Sequence, residues 1–269
     1  MCSDHFAPWS RSQGQSGHAW SWLGAALQAT ALSFGTVCAP GQRYHPAIIA
    51  QAAATLSEMH AGRFWVALGS GEALNESITG DPWPPKEARQ RRLRECVDIV
   101  RALWAGETVS HDGLVRVKGA KLYSRPAQPP MLLAAALSPE TARWAAAWAD
   151  GLITVNGPRD RMRAVVDAFH DGGGGGKPLY LQTAMCLAET DAISEQIARD
   201  AWGQAGLSPA QLADLETPEA FERAAAGLPD GRVLRSVRAS ADVERHVAWL
   251  EEDLALAPRA LALRAHAER

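Results

Sequence analysis

No long apolar run, no paired cysteines and no surplus of one charge mark this chain of 269 residues. A membrane-crossing helix needs roughly 18 consecutive apolar residues, and no stretch supplies them. No basic segment followed by an apolar one opens the chain, so no secretory leader is read there. The four cysteines, Cys2, Cys38, Cys96 and Cys186, are widely spaced, and the eight histidines are equally dispersed. That spacing excludes a disulfide framework and a zinc site built from tight Cys and His pairs. Reduced thiols, a cytoplasmic protein and no metal are therefore expected. The net charge is -3 with basic residues spread through helical stretches, which leaves no electrostatic footprint for nucleic acid. The expected partner is a small soluble molecule, not nucleic acid or a membrane, and a homodimer is compatible with this reading.

What the chain does have is apolar content, 47% of its residues, enough for the core of one large α/β domain. Short apolar runs at 31–39, 63–71, 131–137, 150–155 and 178–188 read as buried strands. Helical periodicity fills 45–60, 86–106, 138–150 and 158–172. Ser138 followed by Pro139 is a helix start, with the serine as cap and the proline in the first turn. In the helix over 86–106, Leu93, Val97, Val100, Leu103 and Trp104 share the inner side, and Arg89, Arg92, Glu95 and Asp98 lie elsewhere. Strands alternating with helices imply parallel pairing through right-handed crossovers, in a doubly wound sheet or a barrel. Both keep ligands at the carboxyl ends of the strands. The run "GGGGG" at 172–176 lacks a following Lys-Ser/Thr pair and reads as a flexible surface loop. Beyond residue 188 the text turns helical and Ala-rich, and no further strand is read.

Two segments carry candidate chemistry. "GSGEALNE" (69–76) follows an apolar strand, so Glu72, Asn75 and Glu76 face the strand mouth, where partial burial suits a carboxylate for general acid work. "SDHFAPW" (3–9) sets an acid and an imidazole beside an aromatic wall, with Asp4 orienting His5 and Trp9 as the wall. "RYHP" (43–46) is read evenly as an ordinary strand-to-helix loop or as a ligand contact.

Taken together, "SDHFAPW", "GTVCAPGQRYHPAIIAQAAATLSEM", "GRFWVALGSGEALNE" with "GDPWP", and "DGLITV" resemble the luciferase-like flavin oxidoreductase superfamily. The nearest likeness is to its glucose-6-phosphate dehydrogenase-like branch, which uses the deazaflavin coenzyme F-420, and it runs from about residue 3 to about residue 250. The resemblance implies a (β/α)8 TIM-type barrel over 1–250, with the cofactor ring at its C-terminal mouth. It implies His5 as the base for a substrate hydroxyl, Glu72 as the acid near the ring, and Trp9 as the substrate wall. Asp4 and Asn75 are expected at the ring, and Val37 and Cys38 beneath it, where relatives often carry a non-proline cis peptide. Ala135, Ala136 and Ser138 are expected around the cofactor phosphate, at a helix start that suits an anion. The resemblance implies FMN or coenzyme F-420 as the cofactor, and hydride transfer between a small hydroxylated substrate and the ring. The alternatives are an FMN-dependent luciferase-like monooxygenase and a truncated barrel without turnover.

Against that family pattern, two departures stand out. Where sugar-phosphate-oxidising relatives place a lysine after the "DG-x-I" strand, this chain has Asn156, Gly157 and Pro158. The family's first βα unit is not read ahead of "SDHF", nor its last strand and helix, and 251–269 is expected as an Ala/Leu/Arg-rich tail.

Overall fold

A computed structural model of the chain describes residues 1–229, 231–256 and 260–267. Its contacts gather into two compact units, Cys2–Phe6 with Ser16–Leu133, and Met1, Ala7–Gln15 and Ala134–Arg269. Both are of the α/β class expected from the sequence, with parallel strands alternating with helices.

In the first unit β1 (Cys2–Ser3), β2 (Phe34–Cys38) and β3 (Phe64–Leu68) pair in parallel, with α1 (Ala19–Ala29) and α2 (Pro46–Met59) as the crossovers. All five residues of β3 are buried, which is why it reads as an unbroken apolar run rather than an alternating one. Gly35 is required opposite it, because a Cβ there would lie 2.0 Å from the Trp65 ring. His45 caps α2 by accepting from the Ala47 N–H at 3.2 Å, ahead of a proline in the first turn. After the single turn α3 (Ala73–Glu76), the helix α4 (Lys86–Ala105) buries Leu93, Val97, Val100, Leu103 and Trp104. Arg89, expected on the polar side, is buried as well; it donates to the Pro84 carbonyl at 3.1 Å and stacks over Trp83. A hairpin that the sequence reading does not contain follows, β4 (Val109–Asp112) and β5 (Arg116–Ala120). Its polar residues give no apolar alternation to read.

β6 (Met131–Ala135) leads into the second unit, which continues with α5 (Pro139–Ala145), β7 (Gly151–Val155), α6 (Arg159–Phe169) and β8 (Leu179–Leu187). Then come α7 (Asp191–Trp202), α8 (Pro209–Asp214), α9 (Pro218–Ala226), β9 (Val237–Ser240), α10 (Val243–Leu254) and β10 (Ala260–Ala267). The nine-residue β8 is the organising strand. Its first half pairs with β7, its second half with β9, and nearly its whole length with β10, all in parallel. Ala136, Ala142, Leu152, Val165 and Phe169 form one core cluster, and Ala184, Cys186, Trp202 and Val237 belong to another.

Two expectations are corrected here. β9 and β10 fall beyond residue 188, where no strand is read, and β10 occupies the stretch expected to be a tail. Ala and Leu are strong helix formers, so only the pairing partner offered by β8 makes 260–267 a strand. Residue 250 lies within α10. The glycine run is not a free linker either: a turn at His170–Gly174 continues α6, and a Cβ on Gly172 would lie 2.4 Å from the Arg143 carbonyl of α5. Among the described residues, no helix is long and apolar enough to cross a membrane.

Candidate functional site

Three of the sequence-predicted residues converge in the first unit. The extended chain leaving β1 is held by the Asp4 N–H donating to the Val37 carbonyl at 3.0 Å, which delivers His5 and Phe6 to the strand ends. β3 stops at Leu68, and the Gly69 N–H donates to the Cys38 carbonyl at 3.0 Å. Gly71 then turns the chain at φ 88°, where a Cβ would crowd Trp83, Glu76 and Ala39 at 3.1–3.3 Å. That turn sets Glu72 at the start of α3 and brings Asn75 back toward His5. Asn75 Oδ1 accepts from the Phe6 N–H at 2.9 Å, and its Nδ2 lies 3.3 Å from His5 Nδ1 and 3.2 Å from Glu72 Oε2. His5 Nε2 faces the same Glu72 oxygen at 3.6 Å. The two side chains keep 16% and 30% of their surface open, so a small molecule can reach both.

Beneath this trio lies an ion cluster that the sequence reading missed. The Arg43 guanidinium is 9% exposed and sits between two carboxylates, Asp4 and Glu76, each 1% exposed. Nη2 donates to the Asp4 carbonyl at 2.8 Å and lies 3.4 Å from Asp4 Oδ2, while Nε lies 3.4 Å from Glu76 Oε1. The Arg43 N–H donates to Glu76 Oε2 at 2.8 Å, and the Trp20 indole donates to Asp4 Oδ2 at 3.3 Å. Burial raises the pKa of both acids above the ordinary carboxylate range, with Arg43 opposing the rise. The neighbouring Tyr44 hydroxyl is pushed up to about 12 by burial and then by Asp4.

Several expected positions are revised by this geometry. Glu76 does not face the mouth but turns inward to Arg43. Asp4 lies below the surface, and its Oδ2 meets Arg43 and Trp20. In "RYHP", Arg43 is structural and His45 caps a helix, with its Nε2 2.8 Å from the Arg116 carbonyl. Val37 and Cys38 sit in a regular parallel strand, and no cis peptide occurs among the described residues. Burial holds the Cys38 thiol well above its usual pKa, so it is not poised as a nucleophile. The one sequence signal for the cluster was Arg43 close after a strand end, with Glu76 in the neighbouring strand-end loop.

The remaining expected residues belong to the second unit. Trp9 is buried, edge-on to Phe221 with ring centroids 4.8 Å apart. The Ala136 N–H donates to the Ile153 carbonyl at 3.1 Å. Ser138 caps α5, accepting from the Thr141 N–H at 3.3 Å and bonding the Thr141 hydroxyl at 3.0 Å. Ala135 ends β6 half-buried. Asn156, which stands where the family's lysine is expected, is buried and bridges β7 to β8. Its N–H donates to the Gln182 carbonyl at 2.9 Å, and its Oδ1 accepts from the Ala184 N–H at 3.2 Å.

Comparison with known proteins agrees with this architecture. Residues 1–257 match the luciferase-like monooxygenase family. An F420-dependent glucose-6-phosphate dehydrogenase of Nakamurella multipartita is 36% identical over 273 aligned residues, covering 98% of this chain and 80% of that protein. One from Beutenbergia cavernae is 34% identical over 91% of this chain and 76% of its own length. Among solved structures, an F420-dependent secondary alcohol dehydrogenase in complex with an F420-acetone adduct superposes with a TM-score of 0.91 at 28% identity, covering 99% of this chain and 84% of that one.

Proposed function

The chain belongs to the luciferase-like monooxygenase family, and on that premise we propose that it is a deazaflavin-dependent oxidoreductase acting on a small hydroxylated substrate. The observation that carries the proposal is the convergence of His5, Glu72 and Asn75 at the strand ends, with the imidazole and the carboxylate both open to a ligand.

The donor set fits a heteroaromatic ring with polar edges: an imidazole and a carboxylate, partly open and held by an amide, offer hydrogen-bond donors and acceptors side by side. His5 and Glu72 would hold the ring edge and the substrate oxygen, and a cofactor bound there supplies the hydride chemistry. The phosphate tail is a different matter, since the Ser138 hydroxyl and the Ala136 N–H are already engaged. Those residues and Ala135 stay with the proposal only as neighbours of the tail. In this reading the side chains that meet the substrate oxygen are His5 and Glu72. Arg43 fixes the peptide preceding His5, so the imidazole is aimed by a buried ion cluster rather than by a mobile strand end.

Fluorescence titration of the protein with coenzyme F-420 and, separately, FMN tests the reading. Saturable binding of F-420, followed by its anaerobic reduction with one of a panel of secondary alcohols and sugar phosphates, is the expected outcome. Binding of FMN alone, with oxygen uptake on reduction, would replace it with monooxygenase chemistry, and binding of neither would remove it.

A further inference from the structure

We propose that Asn75 dictates which nitrogen of His5 carries the proton, making the imidazole a hydrogen-bond donor through Nε2 and leaving Glu72 as the proton acceptor of the pair. Its catalytic meaning rests on the function proposed above, while the proton placement follows from the ligand-free chain.

A peptide N–H can only donate, so the Phe6 N–H at 2.9 Å fixes the atom facing it as the Asn75 carbonyl oxygen. Rotating the amide by half a turn would set an NH2 against that N–H, and would turn the oxygen toward the Glu72 carboxylate, now 3.2 Å from Nδ2. Two independent neighbours therefore choose the same orientation, although amides and imidazoles are in general ambiguous in this respect. The Asn75 NH2 has two hydrogens, and it has two acceptors in reach: Glu72 Oε2 at 3.2 Å and His5 Nδ1 at 3.3 Å.

An Nδ1 that receives a hydrogen bond has no hydrogen of its own. Neutral His5 consequently carries its proton on Nε2, the nitrogen that faces Glu72 Oε2 at 3.6 Å. Neither nitrogen is then available to take a proton from a substrate hydroxyl. Nδ1 is held by Asn75, and protonating it would set N–H against N–H; Nε2 is already protonated. The group left to receive a proton is the Glu72 carboxylate, 30% exposed and flanked by two donors. When the substrate O–H bond breaks, the proton moves to a Glu72 oxygen and the electron pair stays on the substrate oxygen, which the His5 Nε2–H steadies. This reverses the roles that the family resemblance implies for His5 and Glu72. Asn75 is a positioning residue here, with both amide hydrogens committed to the pair.

The test uses the full chain labelled with 15N-histidine and free of ligand, with the His5 signals identified by their loss in His5→Gln. Long-range 15N–1H correlation, taken where the ring is neutral, should show a pyridine-like Nδ1 and a pyrrole-like Nε2; the opposite pattern overturns the proposal. Asn75→Asp replaces the donor with an acceptor and should move the proton to Nδ1. An unchanged tautomer in a folded variant also counts against it. In the loaded enzyme Glu72→Gln should lower kcat by about 10²-fold or more, as for loss of a general base, whereas His5→Gln, which keeps an N–H donor, should lose less. The reverse order would return the base role to His5. Because the nuclear resonance arm needs no cofactor, failure of F-420 to bind would sink the function and leave the tautomer standing.

Discussion

Each unit buries an arginine against carboxylates, and the two arrangements differ in how many acids share the cation. In the first unit Asp4 and Glu76 share Arg43. In the second, among the described residues, Arg238 of β9 pairs with the one carboxylate of Asp253 of α10, and the Thr183 hydroxyl of β8 donates to the other Asp253 oxygen at 3.2 Å. The second cluster is a brace, joining two strands and a helix with charges matched. The first sets two acids on one guanidinium, with Arg92 acting on Glu76 from further off, and such burial is costly. It lies under the proposed His5–Glu72 pair, where a precise backbone position repays that cost.

Removing the cations gives the largest effects and should separate the two. Arg43→Met takes the bridging cation from two buried carboxylates, and we expect a loss at the upper end of ~3–5 kcal/mol, the range for breaking a buried pair. Arg238→Met strands a single acid, so the expected loss is about 3 kcal/mol. Urea unfolding of both variants checks the order, and equal losses would break the comparison. Smaller changes come from the neutral donors. Trp20→Phe removes the indole bond to Asp4 and Thr183→Val the hydroxyl bond to Asp253, each worth about 1.5–3 kcal/mol as hydrogen bonds to charged groups. The Trp20 change should be the larger, because Asp4 shares its guanidinium with Glu76.

The finest probe is acidity. Burial raises Asp4, Glu76 and Asp253 above their ordinary values of 3.8, 4.5 and 3.8, so the folded chain binds these protons more tightly than the unfolded one. The resulting stabilisation is fully present below the unfolded values and is lost as pH rises through the raised folded ones. Asp4→Asn and Asp253→Asn should therefore each flatten the rise in urea midpoint on acidification toward pH 4. A slope unchanged by Asp4→Asn would mean that Arg43 already holds that acid ionised.

The parts of this molecule that were legible in the sequence are those where local pattern and environment agree. β2, β3, β6, β7 and β8 are apolar because they are covered on both faces, and α2, α4, α5 and α6 carry their periodicity and start signals openly. His5, Glu72 and Asn75 were legible because each sits within a compact motif at a strand end. What stayed hidden depends on partners distant in the chain. Arg43 and Arg89 look solvated until their acceptors are placed, Gly172 looks like a linker until α5 packs on it, and β10 looks like a helix until β8 supplies its hydrogen bonds.

β8 also has a history as well as a place. Its first partner, β7, lies just upstream, but β9 begins about 50 residues after it and β10 about 70. During synthesis the strand therefore emerges with one edge open along its length, and stays so until residues 260–267 are made. Asn156, bonding Gln182 and Ala184 where β7 ends, can close its part of the sheet early; the other edge waits. Such late, distant pairings slow folding and expose a sticky edge, so the rate-limiting event in forming this unit should be the arrival of β10. Changes in 260–267 should show up first as aggregation during expression, before they register as a weaker native state.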